Sequence, residues 1–208
     1  MAPLNQENFQ QGVAYLCKVD PHLAQITARY GLPPMWSRPP GFATLVTIIL
    51  EQQVSLSSAR AAFTKLQVAI GTVTPENFVQ LNNEELKRVG FSRQKSSYCR
   101  GLAQAILSRE LDLEALAGLE DASARAALMK IKGIGPWTAD NYLLMALLRP
   151  DIWPSGDLAL AAAIQELKAL PTRPAPEELE RIALPWQPWR AVAARLVWHY
   201  YLSQRKQS

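Results

Sequence analysis

One aspartate stands out among the residues able to do chemistry. Asp157 ends the loop Trp153-Pro154-Ser155-Gly156 and precedes an Ala/Leu-rich segment that starts at Leu158. In that place an aspartate reads as a helix N-cap, worth about 1 kcal/mol. The same place favours an anion, because the free amides and the dipole of the helix point at it. A fixed carboxylate can stabilise positive charge that develops nearby, and it can orient or deprotonate water. On this pattern alone both roles stay open. The second feature is Gly133-Ile134-Gly135, directly followed by Pro136. Glycines allow a tight turn with no Cβ in the way, and proline suits the first position of a helix. The unpaired amides of such a helix can hold a phosphate oxygen, a contact that positions a nucleic acid and reads no base. A glycine-rich turn between two helices with no ligand fits the spacing as well. Six tryptophans complete the inventory, and an indole face attracts a cation by about 0.5–2 kcal/mol.

The elements that must position these groups are helical. Apolar Phe42–Leu50 leads into Glu51-Gln52-Gln53-Val54-Ser55 and an Ala-rich run over 57–69. Thr74-Pro75-Glu76 is a helix start, Asn82 with Glu85 is a capping box, and Gly90 ends that helix. Helical spacing continues over 96–108, 123–130 and 136–148, through Leu160, Ile164 and Leu167, and over 189–202, where Trp189, Val192, Leu196 and Tyr200 form one stripe. Trp198 falls off that stripe, either toward a cleft or inside a helix buried on all sides. The expectation is an all-α protein of about ten short helices. At 208 residues it can bury a real core, as one domain or as two interlocked lobes. With 49% hydrophobic and 19% charged residues the balance is globular. The net charge of +4 leans weakly toward an anionic partner. Cys17 and Cys99 are too few for a cysteine-built metal site, and His22 and His199 are far apart in sequence. No secretory signal is read in the first ten residues, and no apolar stretch approaches the roughly 18 residues of a membrane span.

The segment Leu128-Met-Lys-Ile-Lys-Gly-Ile-Gly-Pro-Trp-Thr-Ala139 resembles the helix-hairpin-helix of the DNA glycosylase superfamily named after it. Trp153-Pro154-Ser155-Gly156-Asp157-Leu158 is similar to that family's Gly/Pro loop and aspartate. Ile48-Ile49-Leu50-Glu51-Gln52-Gln53-Val54-Ser55 is similar to the segment that enters the duplex. Trp186-Gln-Pro-Trp189-Arg190 and Leu196-Val-Trp198 resemble the last helix of the alkylpurine (3-methyladenine) glycosylase II members. Together these motifs cover residues from about 42 to 202.

The resemblance implies a two-lobed helical HhH-GPD glycosylase fold over 1–208, with the helix-hairpin-helix at about 123–148 and without the additional N-terminal domain of longer relatives. It implies a monofunctional enzyme of base excision repair, hydrolysing the N-glycosidic bond of alkylated purines flipped from duplex DNA. Asp157 would be its catalytic carboxylate. Trp137, Asn141 and Trp198 would form the base pocket, and Gln53, Lys132, Gly133, Gly135 and Thr138 would contact DNA. Trp137 matches the position of the lysine nucleophile of bifunctional members, so no Schiff-base step is expected. Gln53 would be the wedge, against a plain surface glutamine at a helix end. No cofactor is required; a structural Na+ or K+ at the carbonyls of Met129, Ile131 and Ile134 is implied. The implied partner is damaged double-stranded DNA, bound by a monomer, in the bacterial cytoplasm or the eukaryotic nucleus. Lys65, Arg93, Lys95, Arg100, Lys130 and Lys132 are phosphate-contact candidates. Trp36, Trp153, Trp186 and Trp189 are read as core. Departures from the family pattern are Asn141 for a tyrosine of some relatives, Lys132 for a proline, and Glu51 for a common glycine. The alternatives are a noncatalytic helix-hairpin-helix DNA-binding module, a glycosylase for another damaged base, and a helical interaction scaffold.

Overall fold

Short polar side chains start most of the helices. In the computed structural model, which describes residues 1–206, Asn5, Asp20, Ser55, Thr74, Asn82, Ser92 and Asp157 each accept a backbone amide from the helix they precede. The helices are α1 (Gln6–Val19), α2 (Pro21–Tyr30), α3 (Phe42–Glu51), α4 (Leu56–Ile70), α5 (Pro75–Gln80), α6 (Asn83–Arg88), α7 (Arg93–Leu107), α8 (Asp121–Met129), α9 (Pro136–Met145), α10 (Leu158–Leu167), α11 (Pro176–Ala183) and α12 (Arg190–Lys206). No strand occurs among the described residues, and the all-α expectation holds. Residues 6–30, unassigned from sequence, form two helices. The hairpin's second helix is shorter than expected, because Leu148 adopts a left-handed φ of 54° and the Arg149 amide turns back to the Leu143 carbonyl at 3.0 Å.

The chain divides into two compact units, Met1–Ser37 with Leu143–Ser208, and Arg38–Tyr142. In the Arg38–Tyr142 unit α3 packs on α4 and α7, and α5 packs on α7. Leu45, Ile48, Ile49, Leu66, Leu86 and Leu102 are fully buried there. Phe42, Phe78 and Phe91 form a chain of rings with centroids 5.7 and 5.8 Å apart. The hydroxyl of Tyr142 accepts the Gly41 amide that opens α3, at 2.9 Å.

In the other unit α12 packs on α1, α2 and α10. Residues 191–198 are buried without interruption, so this half of α12 is enclosed on every side. Gly12 makes the α1 contact close: a Cβ there would lie 2.9 Å from the Trp189 ring and 3.0 Å from Val192. Trp153 and Trp186 meet edge to face at 5.3 Å, as core. Asp20 ties the two ends of the chain together. It caps α2 through the His22 amide at 2.9 Å, and its Oδ2 accepts Lys168 Nζ at 3.1 Å and Trp186 Nε1 at 3.0 Å.

Burial pushes the Asp20 carboxyl up, but the Lys168 ammonium, the Trp186 N–H and the His22 amide outweigh it and hold the group below its ordinary value. A depressed folded pKa stabilises the fold above the unfolded pKa, and that stability is lost as pH falls through the folded value. Asp20→Ala is therefore expected to cost about 2–4 kcal/mol at neutral pH. In urea titrations the deficit should shrink as the pH drops below about 4. A deficit that stays constant into that range would contradict the assignment.

Candidate functional site

Asp157 is the N-cap of α10, with extended backbone (φ −79°, ψ 118°). Its Oδ1 accepts the amides of Ala159 and Leu160, each at 2.9 Å, and Trp198 Nε1 at 3.2 Å. The cap reading of Asp157 thus holds, and the same arrangement leaves room for the second role. Asp157 and Trp198 are each 8% exposed. Trp198 is not a tryptophan standing clear in a cleft; it belongs to the enclosed part of α12 and orients the carboxylate. The loop that delivers Asp157 is closed on itself, with the Ser155 amide on the Trp153 carbonyl and the Asp157 amide on the Pro154 carbonyl, both at 2.9 Å. Ser155 Oγ donates to Glu180 on α11 at 3.1 Å.

The start of this loop and the start of α12 are clamped together. Arg190 forks onto Asp151, with Nε on Oδ1 and Nη2 on Oδ2, both at 2.8 Å, and Nη2 also on the Asp151 carbonyl at 3.0 Å. Trp198 lies about two turns further along the same helix, so the clamp sets its register against Asp157. Between them Arg195 is fully buried. Its guanidinium donates to the carbonyls of Met35, Leu144 and Ala191 at 2.6, 2.8 and 2.9 Å. Burial lowers its pKa to about 10, which leaves it cationic at neutral pH. Nothing in the sequence pattern marks Arg195 as more than an arginine within an apolar helix.

The hairpin turn and the first two turns of α9 belong to the Arg38–Tyr142 unit. After α8 the Ile131 amide returns to the Leu128 carbonyl at 3.1 Å, and the Ile134 amide to the Ile131 carbonyl at 3.0 Å. Ile131 and Ile134 are buried and anchor the turn, while Lys132 between them is exposed. Gly133 has a φ of 96°, and a Cβ there would lie 2.2 Å from the Tyr98 ring. Gly135 differs, since a Cβ on it would meet nothing within 4 Å. The fold requires the first glycine and has room for a side chain at the second. The first-turn amides of α9 have no carbonyl one turn back within the helix.

Thr138 departs from its expected place at the DNA surface. It is 2% exposed, and its Oγ1 accepts the Gln52 amide at 2.9 Å, because the third helical residue points back under the turn. Asn141 is also buried, and its Nδ2 donates to the Trp137 carbonyl at 2.8 Å, one turn back in α9. Trp137 is half-buried. Gln53 is exposed and takes a left-handed φ of 56° in the turn between α3 and α4. Glu51 has a local reason to differ from glycine: Arg38 forks onto it at 2.8 and 3.0 Å. Of the phosphate-contact candidates, Lys65, Arg93, Lys130 and Lys132 are exposed. Lys95 and Arg100 are spent on carbonyls, Lys95 on Leu50 and Gln52, and Arg100 on Leu81. Among the described residues no group of three or more His, Cys, Asp or Glu is placed to hold a metal ion.

The two hairpin glycines should separate cleanly in denaturant unfolding. Gly133→Ala puts a side chain at positive φ and into the Tyr98 ring, and should cost about 2–4 kcal/mol. Gly135→Ala should stay within about 1 kcal/mol of the parent. Equal losses at the two positions would contradict this geometry.

Comparison with known proteins agrees with this geometry. Residues 46–188 match the model of the HhH-GPD superfamily base excision DNA repair proteins. A DNA-3-methyladenine glycosylase of Bacillus subtilis is 33% identical over 198 residues, covering 88% of this chain and 64% of that protein. The alkylbase DNA glycosidase-like protein mag2 of Schizosaccharomyces pombe is 31% identical over 134 residues, 64% of this chain and 63% of its own. The chain thus spans somewhat less than two thirds of these curated relatives. Among solved structures, a DNA-3-methyladenine glycosidase of Bacillus halodurans superimposes with a TM-score of 0.76 at 28% identity, over 93% of this chain and 89% of that one. The fold is shared with a Schizosaccharomyces pombe 3-methyladenine DNA glycosylase in complex with abasic DNA, at a TM-score of 0.83 and 24% identity over 94% and 97% of the two chains. A carboxylate-capped α10 and a glycine hairpin thus occur in a chain that belongs to the HhH-GPD superfamily of base excision DNA repair proteins.

Proposed function

We propose that this protein is a monofunctional DNA glycosylase that removes alkylated purines of the 3-methyladenine and 7-methylguanine type from duplex DNA. The observation that carries the proposal is Asp157, a nearly buried carboxylate oriented through one oxygen by two α10 amides and the Trp198 indole. The names of the relatives, glycosylases for 3-methyladenine, support the same substrate class. Methylation at N3 or N7 makes the purine cationic and weakens its bond to the sugar. The C1′–N bond breaks with its electron pair leaving on the base, and positive charge grows on the deoxyribose. Asp157 stabilises that charge and orients the water whose oxygen bonds to C1′, taking up its proton or relaying it to solvent.

Trp137 supplies an aromatic face and no amine, so no covalent intermediate forms and the strand is left uncut. Asn141, one turn along α9, brings a side-chain carbonyl oxygen to the same face as a hydrogen-bond acceptor for the base. Duplex DNA is held at the hairpin by the first amides of α9, with Lys132 exposed beside them, and Gln53 enters the stack. A monovalent cation would be held at the same turn by the backbone carbonyls of Met129, Ile131 and Ile134, neutral oxygen donors of the kind hard cations take. It would add positive charge beside the phosphate. The protein acts as a monomer.

Incubation with methylated duplex should release 3-methyladenine and 7-methylguanine, with strands intact until alkali is added. Asp157→Asn keeps an oxygen to cap α10, so it should fold and bind duplex, yet lose release by roughly 100-fold or more. Release by the variant at the parent rate would refute the role of Asp157; binding without release by either protein would point to a noncatalytic binder or another lesion. Gly135→Ala, which the fold tolerates, should weaken duplex binding several-fold by crowding a phosphate at the hairpin amides.

A further inference from the structure

Gln52 has no part in the chemistry above, yet it is tied at three points. Its Nε2 donates to the Gly133 carbonyl and to Thr138 Oγ1, both at 2.9 Å. Because the Gly133 carbonyl can only accept, the amide has one admissible orientation. Gln52 therefore grips the hairpin at both ends of the stretch 133–138, which contains the amides offered to a phosphate. Its own backbone carbonyl accepts Lys95 Nζ at 2.9 Å, while the same ammonium takes the Leu50 carbonyl at 2.6 Å. Lys95 thereby closes the negative end of α3. Partial burial lowers its pKa, and the ammonium is committed to these two carbonyls.

The next residue is Gln53, exposed at a left-handed φ of 56°. For a residue with a Cβ that conformation costs roughly 1–2 kcal/mol, and it persists only where the surroundings over-determine it. The surroundings that do so here are Gln52 and Lys95. Val54 and Leu56, just beyond, are 46% and 57% exposed and give the turn no buried anchor of their own.

We infer that Gln52 and Lys95 are positioning residues that lock the backbone of Gln53 to the hairpin, so that phosphate capture at the α9 amides places the Gln53 side chain in register with the duplex. The inference rests on Gln53 as the duplex-entering side chain, and it assigns to Gln52 the coupling between backbone capture and entry into the stack. A glutamate at 52 keeps the shape and removes the donor. It tests the hydrogen bonds rather than the volume.

The test uses a duplex with 2-aminopurine beside a tetrahydrofuran abasic analogue, whose fluorescence rises when the stack is opened and which needs no base release. At saturating protein, Gln52→Ala and Gln52→Glu should give a rise roughly tenfold smaller than the parent, with the Kd for the duplex changed less than about threefold. Adding Gln53→Ala to Gln52→Ala should cost nothing further, because the wedge acts only where the tie places it. Parent-like unstacking by Gln52→Ala, or losses that multiply in the double variant, overturns the assignment. Should Gln52→Ala not fold, Lys95→Met and Thr138→Val each remove one anchor, and a full fluorescence rise in both overturns it equally. A parent protein that opens the stack but releases no methylated base refutes the glycosylase proposal and leaves this one standing. One that binds without opening the stack refutes this one.

Discussion

Three donors on a single oxygen of Asp157 hold the most consequential group of the Met1–Ser37 and Leu143–Ser208 unit. Two come from the first turn of α10 and one from α12, so the carboxylate is right only if both helices are right. Charge-assisted bonds of this kind are roughly twice as strong as neutral ones. With one oxygen committed, the plane of the group fixes where the other points. The Arg190–Asp151 fork and the Arg195 carbonyl cage follow from that requirement, since each sets where α12 lies along its axis. A helix cap that would elsewhere be a modest local device here also ties the first turn of α10 to α12.

In each unit a cation withdrawn from the surface, Arg195 fully buried and Lys95 half-buried, is satisfied by backbone carbonyls. Lys95 takes the end of α3, and Arg195 takes three carbonyls from separate parts of its unit. A carboxylate partner would cancel the charge, whereas carbonyl dipoles solvate it and leave it in place. The cost of burying an ion is then met by geometry. These contacts fix loop ends and helix ends that apolar packing leaves free to slide, because hydrophobic contact has no direction.

Much of this was legible in the sequence, for identifiable reasons. Helix starts are written in single residues, so Asn82, Thr74-Pro75 and the Asp157 cap could be read directly, as could the turn at Gly133. Burial of Thr138 was not legible, because a threonine in a first helical turn looks alike whether it faces water or a neighbouring glutamine. Gln52 and Gln53 are the same residue type side by side, and only the chain's course separates the anchor from the exposed side chain. Arg195 and Lys95 look like surface charges until their carbonyl partners are known, and those partners are distant in sequence. The first thirty residues carry ordinary amphipathic helices with no motif, and their place was set by Asp20 and Gly12, whose partners lie near the other end of the chain.

That last arrangement bears on the order in which the molecule can be made. The Arg38–Tyr142 unit is one unbroken stretch, and every residue it needs has been synthesised before α10 is begun. The other unit draws on both ends of the chain: Asp20 waits for Lys168 and Trp186, 148 and 166 residues downstream. Closing so long a loop costs only logarithmically more than closing a short one, but nothing repays that cost until the last helix is present. Until then α1 and α2 have each other but lack the packing of α12. The carboxylate site, which draws on α10 and α12, belongs to the unit assembled from two separated stretches of chain and waits for the later of them.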